Sequence, residues 1–187
     1  MPNKVNMIDL NRQAELRQAI ELLFHAYRAF TAPPDRILEA RGLGRVHHRI
    51  LYFVARSPGT TVTALLGVLG VSKQALNAPL RQLVEAGLVD SRAGTQDKRS
   101  RHLHLTDAGA ALEAELSGTQ MALLEEVFTT AGPEAEQAWR ALMGKLAPPP
   151  GKAGARDAPG GSNAFDPTVP PATGGAGEVR RLPAGPS

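Results

Sequence analysis

The chain has 187 residues, a formal net charge of +3, 42% hydrophobic residues, 4% aromatics and no cysteine. That length suits one domain, or one domain with a tail, and so few aromatics call for a core mostly of Leu, Val and Ala. The missing cysteine removes disulfides, thiolate catalysis, thiol redox sensing and cysteine-ligated zinc.

The opening stretch MPNKVNMIDLNRQAELRQ holds no apolar centre of the kind a secretory leader carries, and no apolar run reaches the length of a membrane span. A cytoplasmic protein is expected. Between Ile8 and Thr31, Leu10, Leu16, Ile20, Leu23, Tyr27 and Phe30 recur near a period of ~3.6 residues, which predicts a helix. Pro33-Pro34 is expected to stop it, with a short helix over Asp35–Arg41 ended by Gly42. Arg45–Arg56 reads as another helix, closed by Ser57-Pro58-Gly59.

The next stretch, TVTALLGVLGVSKQALNAPLRQLVEAGLV, reads as two short helices meeting at a corner. Thr61 or Thr63 can cap the first, and Gly70 can take the left-handed conformation that ends it. Val71 fills the corner and Ser72 caps the second, which is the layout of a helix-turn-helix. In the second helix Leu76, Leu80 and Leu83 make an inner face, and Lys73, Asn77 and Arg81 make an outer one, with Gln74 beside them. Lys and Arg neutralise phosphates, Gln and Asn bond bidentately to adenine, and Arg to guanine. Taken alone, the outer residues also fit the solvated face of an ordinary amphipathic helix. Pro79 lies past the first turn and is expected to bend the helix.

After Gly87, LVDSR and RSRHLHLT read as two strands, with Leu103 and Leu105 alternating with His102 and His104. The loop Ala93–Ser100 joins them and carries Asp97, Lys98 and Arg99, with Arg101 at its end. A helix-turn-helix followed at once by such a hairpin is a winged helix, and an extended arginine can enter a narrow minor groove. Arg99 is the candidate for that role, and Asp97 for holding Arg99 or a backbone N–H in place. Thr106 caps a long helix to about Thr130, and Gly132-Pro133 separates it from a last helix, Glu134–Leu146. Charge divides along the chain: Arg36 to Arg101 holds eleven Lys/Arg against four Asp/Glu, and His102 to Ala147 two against seven. A basic segment beside an acidic one fits a polyanion partner for the first, and taken alone it equally fits a mixed surface divided at convenient points. Residues 148–187 contain nine Pro and eight Gly without apolar periodicity and read as a disordered tail.

The segment DKRSRHLHLTDAG resembles the wing of the multiple-antibiotic-resistance regulator (MarR) family, with Asp97 and Arg99 in an Asp-x-Arg pattern and Leu105, Thr106 and Gly109 in Leu-Thr-x-x-Gly. SKQALNAPLRQLVEAGLV is similar to that family's recognition helix and the strand entry after it. The resemblance covers roughly residues 8–147. It implies a mainly α fold: a winged helix-turn-helix with a two-stranded wing, its DNA-binding lobe at about 44–105, and dimerisation helices at about 8–31 and 106–147. It also implies a homodimeric repressor on a pseudo-palindromic double-stranded operator, released by a small, often phenolic or aromatic, acid. The DNA-contacting set is then Ser72, Lys73, Gln74, Asn77, Arg81, Lys98, Arg99 and Arg101.

His48 and Tyr52 share a helix face, and His25 can approach them from the first helix, which makes the three a candidate ligand pocket. The other assignment is structural, with His47 at the surface and His48 packed and hydrogen-bonded. No His/Glu spacing supports a metal site, and no cofactor or membrane partner is expected. No Ser/His/Asp set, phosphate loop or carboxylate pair suggests an enzyme. Winged helices also serve as protein-docking modules, so a basic wing meeting an acidic partner without sequence-specific DNA binding is the second function that fits.

Overall fold

A computed structural model describes residues 10–93 and 101–147. In chain order it comprises α1 (Leu10–Glu39), α2 (Arg45–Arg56), β1 (Thr60–Thr61), α3 (Val62–Leu69), α4 (Lys73–Glu85), β2 (Val89–Ala93), β3 (Arg101–Leu105), α5 (Asp107–Ala131) and α6 (Pro133–Leu146). The fold is mainly α, a winged helix-turn-helix carried by long terminal helices. Among the described residues no helix is long and apolar enough to cross a membrane.

Pro33-Pro34 does not stop the first helix; α1 runs through both prolines to Glu39, and no separate helix begins at Asp35. Pro34 cannot supply the N–H that Phe30 O would accept, and Gln120 Nε2 of α5 donates to that oxygen instead, at 3.3 Å. Pro34 itself is fully buried, as is Leu38 one turn on, so apolar burial offsets what the backbone loses. The helix then ends where Gly42 adopts φ +65°.

The sheet has three strands rather than two, in the order β1-β3-β2, all antiparallel. β1 is only two residues, Thr60 opposite Leu103 and Thr61 opposite His102. It is held by Gly59 N–H on Leu103 O at 2.8 Å and by the His102 ring, whose Nδ1 lies 2.8 Å from Gly59 O. In the hairpin, Val89 faces Leu105 and Ala93 faces Arg101. The loop residues Asp97, Lys98 and Arg99 lie outside the described residues.

One aliphatic core joins α1 to α5 and the sheet: Leu38 from α1, Ile50, Leu51 and Val54 from α2, Leu65 from α3, Leu76 and Leu83 from α4, Val89 and Leu103 from β2 and β3, and Leu112 and Leu116 from α5. Burying each such side chain stabilises the fold by roughly 1.5–3 kcal/mol before the ordering entropy is subtracted. Leucine supplies nine of the twelve buried apolar residues and alanine none of them, so the expected alanine share of the core is not there. α6 buries no residue, and Leu142 and Leu146 remain 58% and 69% exposed.

Candidate functional site

The helix-turn-helix is assembled by local chemistry at each boundary. Thr61 Oγ1 accepts the Ala64 N–H at 3.1 Å and starts α3. Gly70, at φ 64° and ψ 28°, closes it in the left-handed conformation. Ser72 Oγ accepts the Ala75 N–H at 3.2 Å and starts α4, so this hydroxyl is held at the helix N-terminus and keeps its own proton to donate. α4 runs unbroken through Pro79 to Glu85.

The two faces of α4 separate. Leu76 and Leu83 are fully buried, and Leu80 packs against them from a half-buried position. Ser72, Lys73, Gln74, Asn77 and Arg81 are all exposed. Arg81 reaches Glu85 at 3.6 Å, with both side chains well exposed, a pairing that contributes little and yields readily to another anion. Beside this helix, Arg92 and Arg101 are exposed at the end of the β2–β3 ribbon. Arg92, a basic residue of the hairpin outside the DNA-contacting set expected above, pairs with Asp90 at 3.0 Å.

Behind the lobe, α1, α2 and α5 enclose a cavity of about 390 Å³, lined chiefly by Tyr27, Phe30, His48, Arg49, Tyr52 and Met121. Of the three residues suggested for a pocket, His48 and Tyr52 line it. His25 does not; it is exposed on α1 with its ring edge-on to Phe24, and Tyr27 and Phe30 are the α1 residues that face the space. Arg49 donates to the Tyr27 hydroxyl at 3.3 Å. Arg45, at the same rim, is already clamped by both carboxylate oxygens of Asp35, which leaves Arg49 as the more available guanidinium.

The assignments of His47 and His48 are reversed relative to expectation. His47 is the packed residue, 8% exposed and hydrogen-bonded at both ring nitrogens. His48 is half-buried, and its Nε2 is buried without a hydrogen-bond partner. The reason is the start of α2, where Gly44 has no side chain to cap the helix and the His47 ring does it from the third helical position. Among the described residues no group of three or more His, Asp or Glu is placed to hold a metal ion.

Burial pushes the His48 pKa below its ordinary value of 6.5, with Glu113 and Asp35 opposing the shift. The unfolded chain therefore binds this proton first. The contribution of neutral His48 to stability is present above about pH 6.5 and is lost as pH falls from there through the lower folded value. Urea titrations between about pH 5 and about pH 7 are expected to show this acid limb, and His48→Gln to flatten it. An unchanged slope in the variant would place the titration elsewhere.

The family model for MarR regulators matches residues 41–100, from the end of α1 to the loop of the hairpin. The HTH-type transcriptional regulator PetP of Rhodobacter capsulatus is 51% identical over 135 residues, spanning 72% of this chain and 81% of its own length. The chain belongs to the MarR family. It is accordingly a helix-turn-helix transcription regulator. Solved MarR-family structures share the fold. A regulator from Silicibacter pomeroyi is 26% identical with a TM-score of 0.58, covering 68% of this chain and 86% of that one. A mutant MarR of E. coli, solved in complex with operator DNA, is 22% identical with a TM-score of 0.58, covering 75% of this chain and all of that one. The family's Leu-Thr-x-x-Gly joint has a physical cause here. Thr106 Oγ1 accepts the Gly109 N–H at 3.0 Å and donates to Gly87 O at 2.7 Å, tying the first turn of α5 to the end of α4.

Proposed function

We propose that the chain is a cytoplasmic homodimeric repressor that binds a pseudo-palindromic operator and is released by a small aromatic acid. The segregation of α4 carries the DNA reading: Lys73, Gln74, Asn77 and Arg81 are exposed on a helix whose Leu76 and Leu83 are fully buried. Such a helix can enter the major groove, its cations on phosphate or guanine and its amides on adenine, while Ser72 donates to a phosphate at the helix N-terminus. Lys98, Arg99 and Arg101 of the hairpin reach the adjacent minor groove, with Asp97 orienting Arg99.

A second copy is supported by surplus apolar surface. Ile20 and Leu22 of α1 are 68% and 63% exposed, and Leu142 and Leu146 of α6 add to them. A two-fold dimer sets its recognition helices about one DNA turn apart, roughly 34 Å. The effector is supported by the cavity, where Tyr27, Phe30 and Tyr52 suit an aromatic ring, Arg49 a carboxylate and the unpartnered His48 Nε2 a further polar group.

Fluorescence anisotropy on the DNA upstream of the protein's own reading frame tests this. Operator affinity is expected to fall on the order of a thousandfold between about 50 and about 200 mM salt. Arg99→Ala is expected to cost about 1 kcal/mol or more of binding while the melting temperature stays unchanged. A salt-insensitive complex would favour a protein-docking winged helix instead. Benzoate and hydroxybenzoates are expected to release the DNA, and a panel without effect would remove the effector from the proposal.

A further inference from the structure

Gln82 follows Arg81 on α4, at the flank between the exposed face and the buried leucines. It joins two helix ends that share one motif. At the end of α1, Gly42 takes φ +65°, with Leu43 N–H on Leu38 O at 2.9 Å and Gly42 N–H on Glu39 O at 3.1 Å. At the end of α4, Gly87 takes φ +67°, with Leu88 N–H on Leu83 O at 2.9 Å and Gly87 N–H on Val84 O at 3.0 Å. Both are Schellman endings, fixed locally by their glycines.

A directed chain of hydrogen bonds leaves the α1–α2 corner at Gly44, passes through His47 and the Gln82 side chain of α4, and returns to the corner at Gly42. Gly44 N–H donates to His47 Nδ1 at 2.9 Å. A backbone N–H has nothing to accept with, so His47 Nδ1 is the acceptor and, in the neutral ring, Nε2 carries the proton. His47 Nε2 then donates to Gln82 Oε1 at 2.9 Å. The Gln82 amide nitrogen in turn donates to Gly42 O at 3.2 Å. Reversing the amide would set donor against donor at one end and oxygen against oxygen at the other, so the link has one polarity.

His47 is 8% exposed, too deep for DNA to touch it. On the same helix, His48, Arg49 and Tyr52 face the cavity. Thus α2 presents one side to the cavity and ties its other side to the recognition helix. Leu76 and Leu83 hold α4 to the core by apolar contact, which is non-directional, and Thr106 of the α5 turn ties only its far end, at Gly87. A hydrogen-bonded strut is directional and specifies rotation and sliding.

We propose that His47 and Gln82 are positioning residues for DNA recognition. The pair fixes the setting of α4 against the corner between α1 and α2, so that the cavity wall and the recognition helix move as one body. The inference rests on the DNA-binding reading above.

The full chain tests it with Gln82→Met, His47→Gln and the double variant. Met matches the length of Gln at an exposed position, and Gln at the third helical position still accepts the Gly44 N–H as in a capping box. Amide NMR spectra of the free protein come first. His47→Gln is expected to move the resonances of Asn77 and Arg81 on α4; if they stay in place the strut is wrong, whatever the DNA does. Affinity for the upstream DNA comes second. Each single variant is expected to weaken it about threefold or more, and the double variant no further than the worse single one. Losses that multiply in the double variant would mean separate roles. A loss in Gln82→Met with His47→Gln silent would mean that Gln82 touches DNA, and either result overturns the proposal. Moved α4 resonances in a protein that binds no upstream DNA would keep the strut and reject the operator reading.

Discussion

Gly109→Ala is expected to destabilise the protein by about 3 kcal/mol, against the usual sign of such a change in a helix. In an open helix interior, alanine gains up to about 1 kcal/mol over glycine through backbone entropy. At Gly109 a Cβ would stand 1.9 Å from Leu88 O and 2.9 Å from Leu88 C, a backbone approach that no side-chain rotamer can relieve. Leu88 cannot give way cheaply. Its carbonyl accepts the Thr106 N–H at 3.2 Å, its own N–H closes the end of α4 on Leu83 O, and Val89 beyond it is buried in the core. The substitution must therefore push the first turn of α5 off the strand entry or break the cap at Thr106. Thermal melts should show a drop of about 10 °C. Gly67→Ala is the control: Gly67 lies exposed in α3 with nothing within 4 Å of the added carbon. It is expected to gain up to about 1 kcal/mol. If Gly109→Ala melts with Gly67→Ala or above it, the close approach of α5 to Leu88 is wrong.

That glycine shows which parts of the structure were legible. Thr61, Gly70, Ser72 and Thr106 each act within three or four residues of themselves, by a cap or a left-handed turn, so α3, α4 and the start of α5 could be placed from the residues alone. The alternation at Leu103 gave the hairpin, because one face of β3 meets the core. What failed depended on distant partners. Pro33-Pro34 reads as a stop by every local rule, and the donor that relieves Phe30 O is Gln120, ninety residues on. β1 is too short for any alternation and exists because β3 has a free edge for Gly59 to bond. Adjacent His47 and His48 point about 100° apart on a helix, and which one faces inward depends on Gln82 and the bare Gly44. The cavity was half legible for the same reason: the helical period joins His48 to Tyr52, but nothing in it selects Tyr27 over His25 or brings Met121 of α5 to the same space.

Arg81→Ala is expected to weaken operator binding by about 1–3 kcal/mol, roughly tenfold to a hundredfold, with the fold intact. The fold should not notice, because the Glu85 pairing at 3.6 Å is exposed on both sides and such pairs contribute at most about 1 kcal/mol. The salt dependence then identifies what Arg81 touches. If Arg81 holds a phosphate, its removal lowers the logarithmic salt slope by about one and weakens binding to all DNA alike; if it reads a guanine, its removal relaxes preference at a single base pair. Asn77 lies one turn earlier on the same exposed face and carries no charge, so it separates the two effects. Asn77→Ala is expected to leave the salt slope unchanged and to relax the preference for adenine at one position in each half-site. Anisotropy titrations on the operator and on single-base variants, at three salt concentrations, measure both quantities together. A uniform loss for Asn77→Ala across all sequences would assign it to the backbone. Full affinity in both variants would remove Arg81 and Asn77 from the groove and leave the exposed Lys73 and Gln74, nearer the start of α4, as its remaining contacts.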